Sequence, residues 1–200
     1  MYGLPASTAI NKPLYKKAVF EKFNLKTAER ERFDADISKM ALVARISPAT
    51  VPALKEGQEV KIIYVLQIQL KRKEFDVKNI LLLQKLIPQR MLFALENAHE
   101  TQLTVIIDSH ILTSKWNPTD DVTILLDGLN LDTVWGNIVM HVGNLQTERG
   151  DTLHDKVQNQ AKRELIIRQI DTLKKQLVKC VQSRKKYELH QQILILKEQL

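Results

Sequence analysis

Between Val60 and Leu112 the spacing of apolar residues changes several times, and each change marks an element. From Ile62 to Leu70, Ile62, Tyr64, Leu66, Ile68 and Leu70 fall on one face and Val65, Gln67 and Gln69 on the other. That period of two predicts a strand with one apolar and one mixed face. Asp76 then stands at an N-cap position, and Val77, Ile80, Leu81, Leu83 and Leu86 recur at helical spacing until Pro88 forbids another turn. Met91–Leu95 and Leu103–Ile107 are short apolar runs split by the polar stretch Asn97–Thr101, the pattern of a hairpin. Two strands joined through a helix of this length pair in parallel with a right-handed crossover. The expected core is therefore a mixed sheet with Leu81, Leu82 and Leu86 packed on one face.

The flanks extend this core. Met1–Ile10 reads as an irregular lead. Asn11 as a cap, Pro13 in a first turn and Tyr15, Val19 and Phe23 on one face predict a helix over 12–23. Thr27 caps a second helix with Phe33, Ile37 and Met40 as its stripe. Such a pair is either a helix-turn-helix, with Lys16, Lys17, Lys22, Lys26, Arg30 and Arg32 facing phosphates, or a cover for the sheet with a solvated charged face. Ala41–Ile46 and Val122–Leu126 read as further strands, and Ser47–Gln58 and Ser114–Pro118 as connections. Asp132 opens an apolar helix through Val134, Trp135, Ile138, Val139 and Val142 that stops at Gly143-Asn144. Residues 1–145 thus form a mixed α/β core with an N-terminal helical pair, and 146–151 form a linker.

From Thr152 to Leu200 there is no Gly or Pro, and Leu165, Ile166, Ile170, Leu173, Leu177 and Val181 step by three and four. The stripe falters at Gln182–Lys186 and resumes with Leu189, Ile193, Leu196 and Leu200. The tail, 152–200, is one long coiled-coil-like helix or a helical hairpin. Its apolar stripe must be covered by its other arm, by a second subunit or by a different protein.

Composition narrows the function classes. With 200 residues, 44% hydrophobic, and only 6 Gly and 6 Pro, the chain can bury a proper core. The net charge of +7 sits at the ends: nine basic and five acidic residues in 1–50, ten and twelve in 51–150, eleven and six in 151–200. An anionic partner such as DNA would meet the ends rather than the centre. The lone Cys180 excludes an internal disulfide and sits among Leu177, Val178 and Val181 as a small apolar residue. No apolar run spans a membrane and no signal segment opens the chain, so a cytoplasmic protein of bacterial type with no membrane partner is expected.

Candidate chemistry is sparse. A carboxylate nuclease built on Asp76, Glu96 and Asp108 would hold Mg²⁺, but Asn97-Ala98 follows Glu96 where such sites carry a lysine. Asp120-Asp121 lies in a loop, and His99, His110, His141, His154 and His190 are scattered without ligand spacing. No glycine-rich phosphate loop and no nucleophile motif occurs, so neither a cofactor nor a metal is expected. What remains is surface. Lys71-Arg72-Lys73 closes the first core strand, and Arg184-Lys185-Lys186 beside Tyr187 interrupts the tail's stripe. Together with Lys16 and Lys17 these are the candidates for phosphate contact, sequence-indifferent and salt-sensitive, or else they mark exposed turns.

The opening, with Gly3-Leu4-Pro5, Lys16-Lys17, Glu21-Lys22-Phe23, Glu31-Arg32-Phe33, Asp36-Ile37-Ser38 and Ile46-Ser47-Pro48, followed by Ile87-Pro88 and Leu92–Glu96, resembles a bacterial and archaeal family known only as a domain of unknown function. The likeness covers nearly the whole chain. It implies genes placed beside those of a helicase and a DNA methyltransferase, hence an accessory role in restriction-modification or phage defence. It carries no catalytic residues across. The tail alone also resembles the helical-hairpin interaction motif of nucleotide-excision-repair subunits, although Ser183 and Lys186-Tyr187 stand where that motif has an aromatic and a small pair. The expected function is a non-catalytic accessory subunit. Its tail would dock on a helicase or methyltransferase type partner, or on itself, through Leu173, Leu177, Val181, Leu189, Ile193 and Leu196. The alternatives are the nuclease above and a stand-alone DNA-binding protein.

Overall fold

In the computed structural model, Met91–Leu95 is buried along its whole length within β4 (Arg90–Asn97), the signature of a central strand covered on both faces. The structure describes residues 1–108, 110–145, 153–180 and 182–198, arranged as two compact units, Met1–Leu145 and Gln146–Leu200. In the first unit β3 (Ile63–Leu70) lies parallel to β4, with Leu66 opposite Phe93 and Ile68 opposite Leu95. A parallel pair needs a crossover, and α3 (Val77–Gln84) supplies it, its first turn capped by Asp76 accepting from the Lys78 N–H at 2.9 Å. β5 (Glu100–Ile107) then returns antiparallel to β4 through the two-residue turn Ala98-His99, where Ala98 takes a φ of 53°. The mixed sheet expected from the sequence is present. β6 (His110–Thr113) and β7 (Asn117–Pro118) both pair with β5, completing seven strands.

The N-terminal boundaries differ from expectation. Residues Ala9–Pro13 form β1, an edge strand paired with β2 (Ile37–Ile46), which itself pairs with β3. Asn11 is therefore not a helix cap. It sits at a bulge in β1 with a φ of 40°, a left-handed conformation that asparagine tolerates. Pro13, lacking an N–H, is acceptable because the strand is at an edge. The first helix, α1, starts only at Lys16 and runs to Lys22. α2 (Thr27–Asp36) begins one residue after its cap position at Lys26 and passes directly into β2, so Ile37 and Met40 belong to a strand, not to a helical stripe. Val19 and Phe33 are fully buried against Leu66, Ile68 and Phe93, and Phe20 meets Phe33 edge-on at 5.5 Å. The helical pair is thus a cover for the sheet.

The other face is closed by α4 (Leu131–Gly143), which packs on β5 and β6 through Leu112, the partner of Val105. Val122–Leu126 is not a strand. β6 and β7 occupy the free side of β5, and this segment instead runs extended beside the N-terminus, where the Ile124 N–H donates to the Tyr2 carbonyl at 2.9 Å. Asn130, not Asp132, caps α4, accepting from the Thr133 N–H at 2.9 Å. At the far end Asn144, at φ 47°, supplies the left-handed residue expected of Gly143.

Asp132 has a different task. Its carboxylate accepts the backbone N–H groups of Gln58 at 2.5 Å, Glu59 at 3.2 Å and Val60 at 2.8 Å, pinning the connection before β3 to the first turn of α4. Gly57 lies so close that a Cβ would stand 2.8 Å from the Asp132 backbone nitrogen and nearer still to its carboxylate.

The second unit is a pair of helices, α5 (Leu153–Lys179) and α6 (Ser183–Glu198), packed against each other. The tail is therefore a hairpin rather than one continuous helix. No helix among the described residues is long and apolar enough to cross a membrane. The 146–151 linker, Val181 and Leu200 lie outside the described residues.

The Asp132 clamp has a pH signature. The Val60 N–H above all, then those of Gln58 and Glu59 and the nearby Lys61, hold the Asp132 carboxyl below its usual range against an opposing desolvation effect. A depressed carboxyl adds stability that is complete above the unfolded pKa, about 4, and is lost as the pH falls through the folded value. Asp132→Asn is expected to lower stability at neutral pH and to flatten the decline below about pH 4 in urea unfolding followed across pH; an unchanged acid limb would exclude the clamp. Gly57→Ala should cost about 1–3 kcal/mol in the same assay.

Candidate functional site

Two surfaces gather the candidate residues. The first is the end of the sheet at which β3 finishes. Lys71, Arg72 and Lys73 leave that strand in succession, and the first turn of α1 brings Lys16 to the same place. The Lys16 Nζ reaches Asp34 Oδ1 at 2.6 Å, and the Lys71 Nζ donates to the Asp34 carbonyl at 2.5 Å. Arg72 donates through Nη2 and Nε, at 2.8 and 3.2 Å, to one oxygen of Asp36. Lys73 pairs with Glu100 and lies 5.4 Å from the centre of the Trp116 ring. Lys17 projects into solvent with Glu21 at 3.8 Å. Of the other helical-pair cations, Lys22 donates to the Leu86 carbonyl and Arg30 to that of Leu25, both at exposed positions.

These cations are not equivalent. Asp34 and Glu100 are about half exposed, and an exposed ion pair is worth roughly 0–1 kcal/mol, so a phosphate oxygen can replace the carboxylate on Lys16 or on Lys73. Arg72 is committed. The Asp36 side chain is only 2% exposed, and besides Arg72 it receives the Asp76 N–H at 2.7 Å and the Asn79 amide at 2.9 Å. Asp36 thereby joins the α2–β2 junction to the end of β3 and the start of α3.

The three acids considered for a nuclease do not converge. Asp76 caps α3. Glu96 accepts a 2.5 Å hydrogen bond from the Tyr2 hydroxyl. Burial first, then the bond to Glu96 and the nearby carboxylate charge, push the Tyr2 phenol far above its ordinary value, with Gln67 opposing. Asp108 follows Ile107, whereas Glu96 lies opposite Thr101 at the other end of β5, roughly 20 Å along the strand. Among the described residues no group of three His, Cys, Asp or Glu side chains is placed to hold a metal.

The second surface is the hairpin. Leu189 and Ile193, expected to face a partner, are buried together with Ile170, so they serve the seam between α5 and α6. Leu173, Leu177 and Leu196 are half-buried, and Val181 is outside the described residues. Beside the seam lies an open groove of about 540 Å³ with Leu165, Leu173, Ile195 and Leu196 on its floor and Arg168, Gln169, Thr172 and Gln192 at its rim. Leu165, which belongs to the stripe read from the sequence, and Ile195, which does not, are 58% and 55% exposed, and neither is among the residues expected to dock. Arg184, Lys185 and Lys186 open α6 as exposed residues, Arg184 with Glu188 at 3.4 Å.

A mixed seven-stranded sheet with helices on both faces, followed by a helical hairpin, defines an α+β protein. The chain matches the family described as Domain of unknown function (DUF4391) over residues 2–200, and it belongs to that family. No curated protein and no solved structure matches it.

The Asp36 junction is directly testable. Asp36→Ala leaves the Asp76 N–H, the Asn79 amide and the Arg72 head without their acceptor and should cost about 3–5 kcal/mol. Arg72→Ala removes a partner whose side chain is 63% exposed and should cost about 1–2 kcal/mol. Equal, small shifts of the two urea midpoints would refute a junction role.

Proposed function

We propose that the protein is a non-catalytic accessory subunit of an assembly acting on DNA, of the restriction-modification or phage-defence kind, and that it docks on its partner through the helical hairpin. The observation that carries this reading is the groove beside the α5–α6 seam: the hairpin closes one apolar stripe and leaves Leu165 and Ile195 in water. Exposed apolar surface next to a satisfied seam is the mark of an interaction face. A helicase or methyltransferase as partner follows from the gene neighbourhood that the family likeness implies. The end of β3 and the start of α6 add auxiliary phosphate contacts, through Lys16, Lys17, Lys71 and Lys73 and through Arg184, Lys185 and Lys186. The coiled-coil character of the tail and a cytoplasmic setting belong to the same reading.

Truncation after Gly150 is expected to leave a cooperatively folding core and to abolish association with a co-expressed helicase or methyltransferase from the same locus. A truncated protein that still assembles would refute docking through the tail. For the phosphate-binding residues, mobility shifts with short duplex DNA should weaken steeply with salt. Lys185→Glu with Lys186→Glu should lower the slope of log K against log salt by about one for each phosphate no longer neutralised. Plasmid cleavage in Mg²⁺ that disappears in Glu96→Ala would instead favour the nuclease.

A further inference from the structure

The groove on the hairpin carries a charge pattern, and the pattern selects its occupant. Followed from Leu165 at steps of three and four, the groove side of α5 bears Lys162, Arg168, Lys175 and Lys179 against one acid, Asp171, all exposed. The same steps back from Gln192 on α6 meet Glu188 and then Lys185 and Arg184, and Arg184 lies 3.4 Å from Glu188. Residues 153–198 hold eleven basic and five acidic side chains.

We infer that the groove receives a third amphipathic helix, supplied by another protein, whose apolar stripe covers Leu165 and Ile195 and whose flanks are rich in Asp and Glu. This rests on the docking reading above and names the partner's chemistry. A second copy of the hairpin would bring the same cations face to face as water leaves, where like charges repel most strongly. A nucleic-acid backbone would set phosphates against an apolar floor, which cannot replace their hydration. An acidic helix answers both demands: its apolar face removes Leu165 and Ile195 from water, and its carboxylates meet Arg168 at the rim and the lysines that follow it along α5.

The test titrates the full-length protein with two labelled helical peptides that share one Leu/Ile stripe, one flanked by Glu and the other by Lys. Anisotropy is read at low and high salt, with sedimentation of the protein alone alongside. The Glu-flanked peptide should bind at least about tenfold more tightly at low salt, with the difference shrinking as salt rises. Ile195→Glu, at a side chain already 55% exposed, should abolish that binding while the circular dichroism spectrum stays unchanged. Arg168→Glu should narrow the preference between the peptides. Equal affinity for both peptides overturns the acidic partner and leaves docking in place. A dimer that Ile195→Glu converts to monomer assigns the groove to a second copy, overturning the inference but again not the docking. A monomer that binds neither peptide refutes the inference, and only truncated protein that retains its partner refutes the docking itself.

Discussion

The Asp36 carboxylate is the interaction on which the arrangement of the core depends. It lies where α2 becomes β2 without an intervening loop, it is shielded from water, and both its oxygens are occupied by donors from the end of β3 and the start of α3. A buried charge is tolerable only when its acceptor capacity is filled, so those three stretches are obliged to meet at one point. The direction in which Lys71, Arg72 and Lys73 leave the sheet follows from that meeting. The basic end of β3 is thus a by-product of a structural ion pair, with Arg72 held back and its neighbours left on the surface.

The two units solve the problem of covering apolar residues differently. The sheet is closed on both sides, by α1, α2 and α3 over Phe93 and Ile68 and by α4 over Val105 and Leu112, and the Asp132 carboxylate fixes where α4 begins. The hairpin closes a single stripe. Two helices cannot surround all their own apolar positions, and several, Leu165 and Ile195 among them, face water. The core therefore covers both faces of its sheet, while the tail leaves part of its apolar surface open.

What can be read from the sequence follows the same division. β3, α3, β4 and β5 are legible because the spacing of their apolar residues and the Asp76 cap agree with the sheet they enter. β1 is not, because Asn11 and Pro13 carry a strong helix-start signal that strand pairing with β2 overrides. Val122–Leu126 has the composition of a strand, but β6 and β7 already occupy the border of β5 that it would need. The break at Gln182–Lys186 marks a place where the tail can turn, yet spacing does not say which stripe forms the seam. Leu189 and Ile193, expected to dock on a partner, are buried, while Leu165, on the stripe, and Ile195, off it, are exposed. Lys16 and Lys71 are 55 residues apart, and only the folded chain places both on Asp34.

The bulge and proline of β1 reach beyond its own geometry. An outermost strand normally presents a ladder of unsatisfied amides and carbonyls on which a stranger's backbone can crystallise. Here that ladder is interrupted at Asn11 and lacks an amide at Pro13, and the opposite margin is divided between the short β6 and β7. Neither margin offers a long uninterrupted rail, and that weakens the pull of the sheet on further copies of itself.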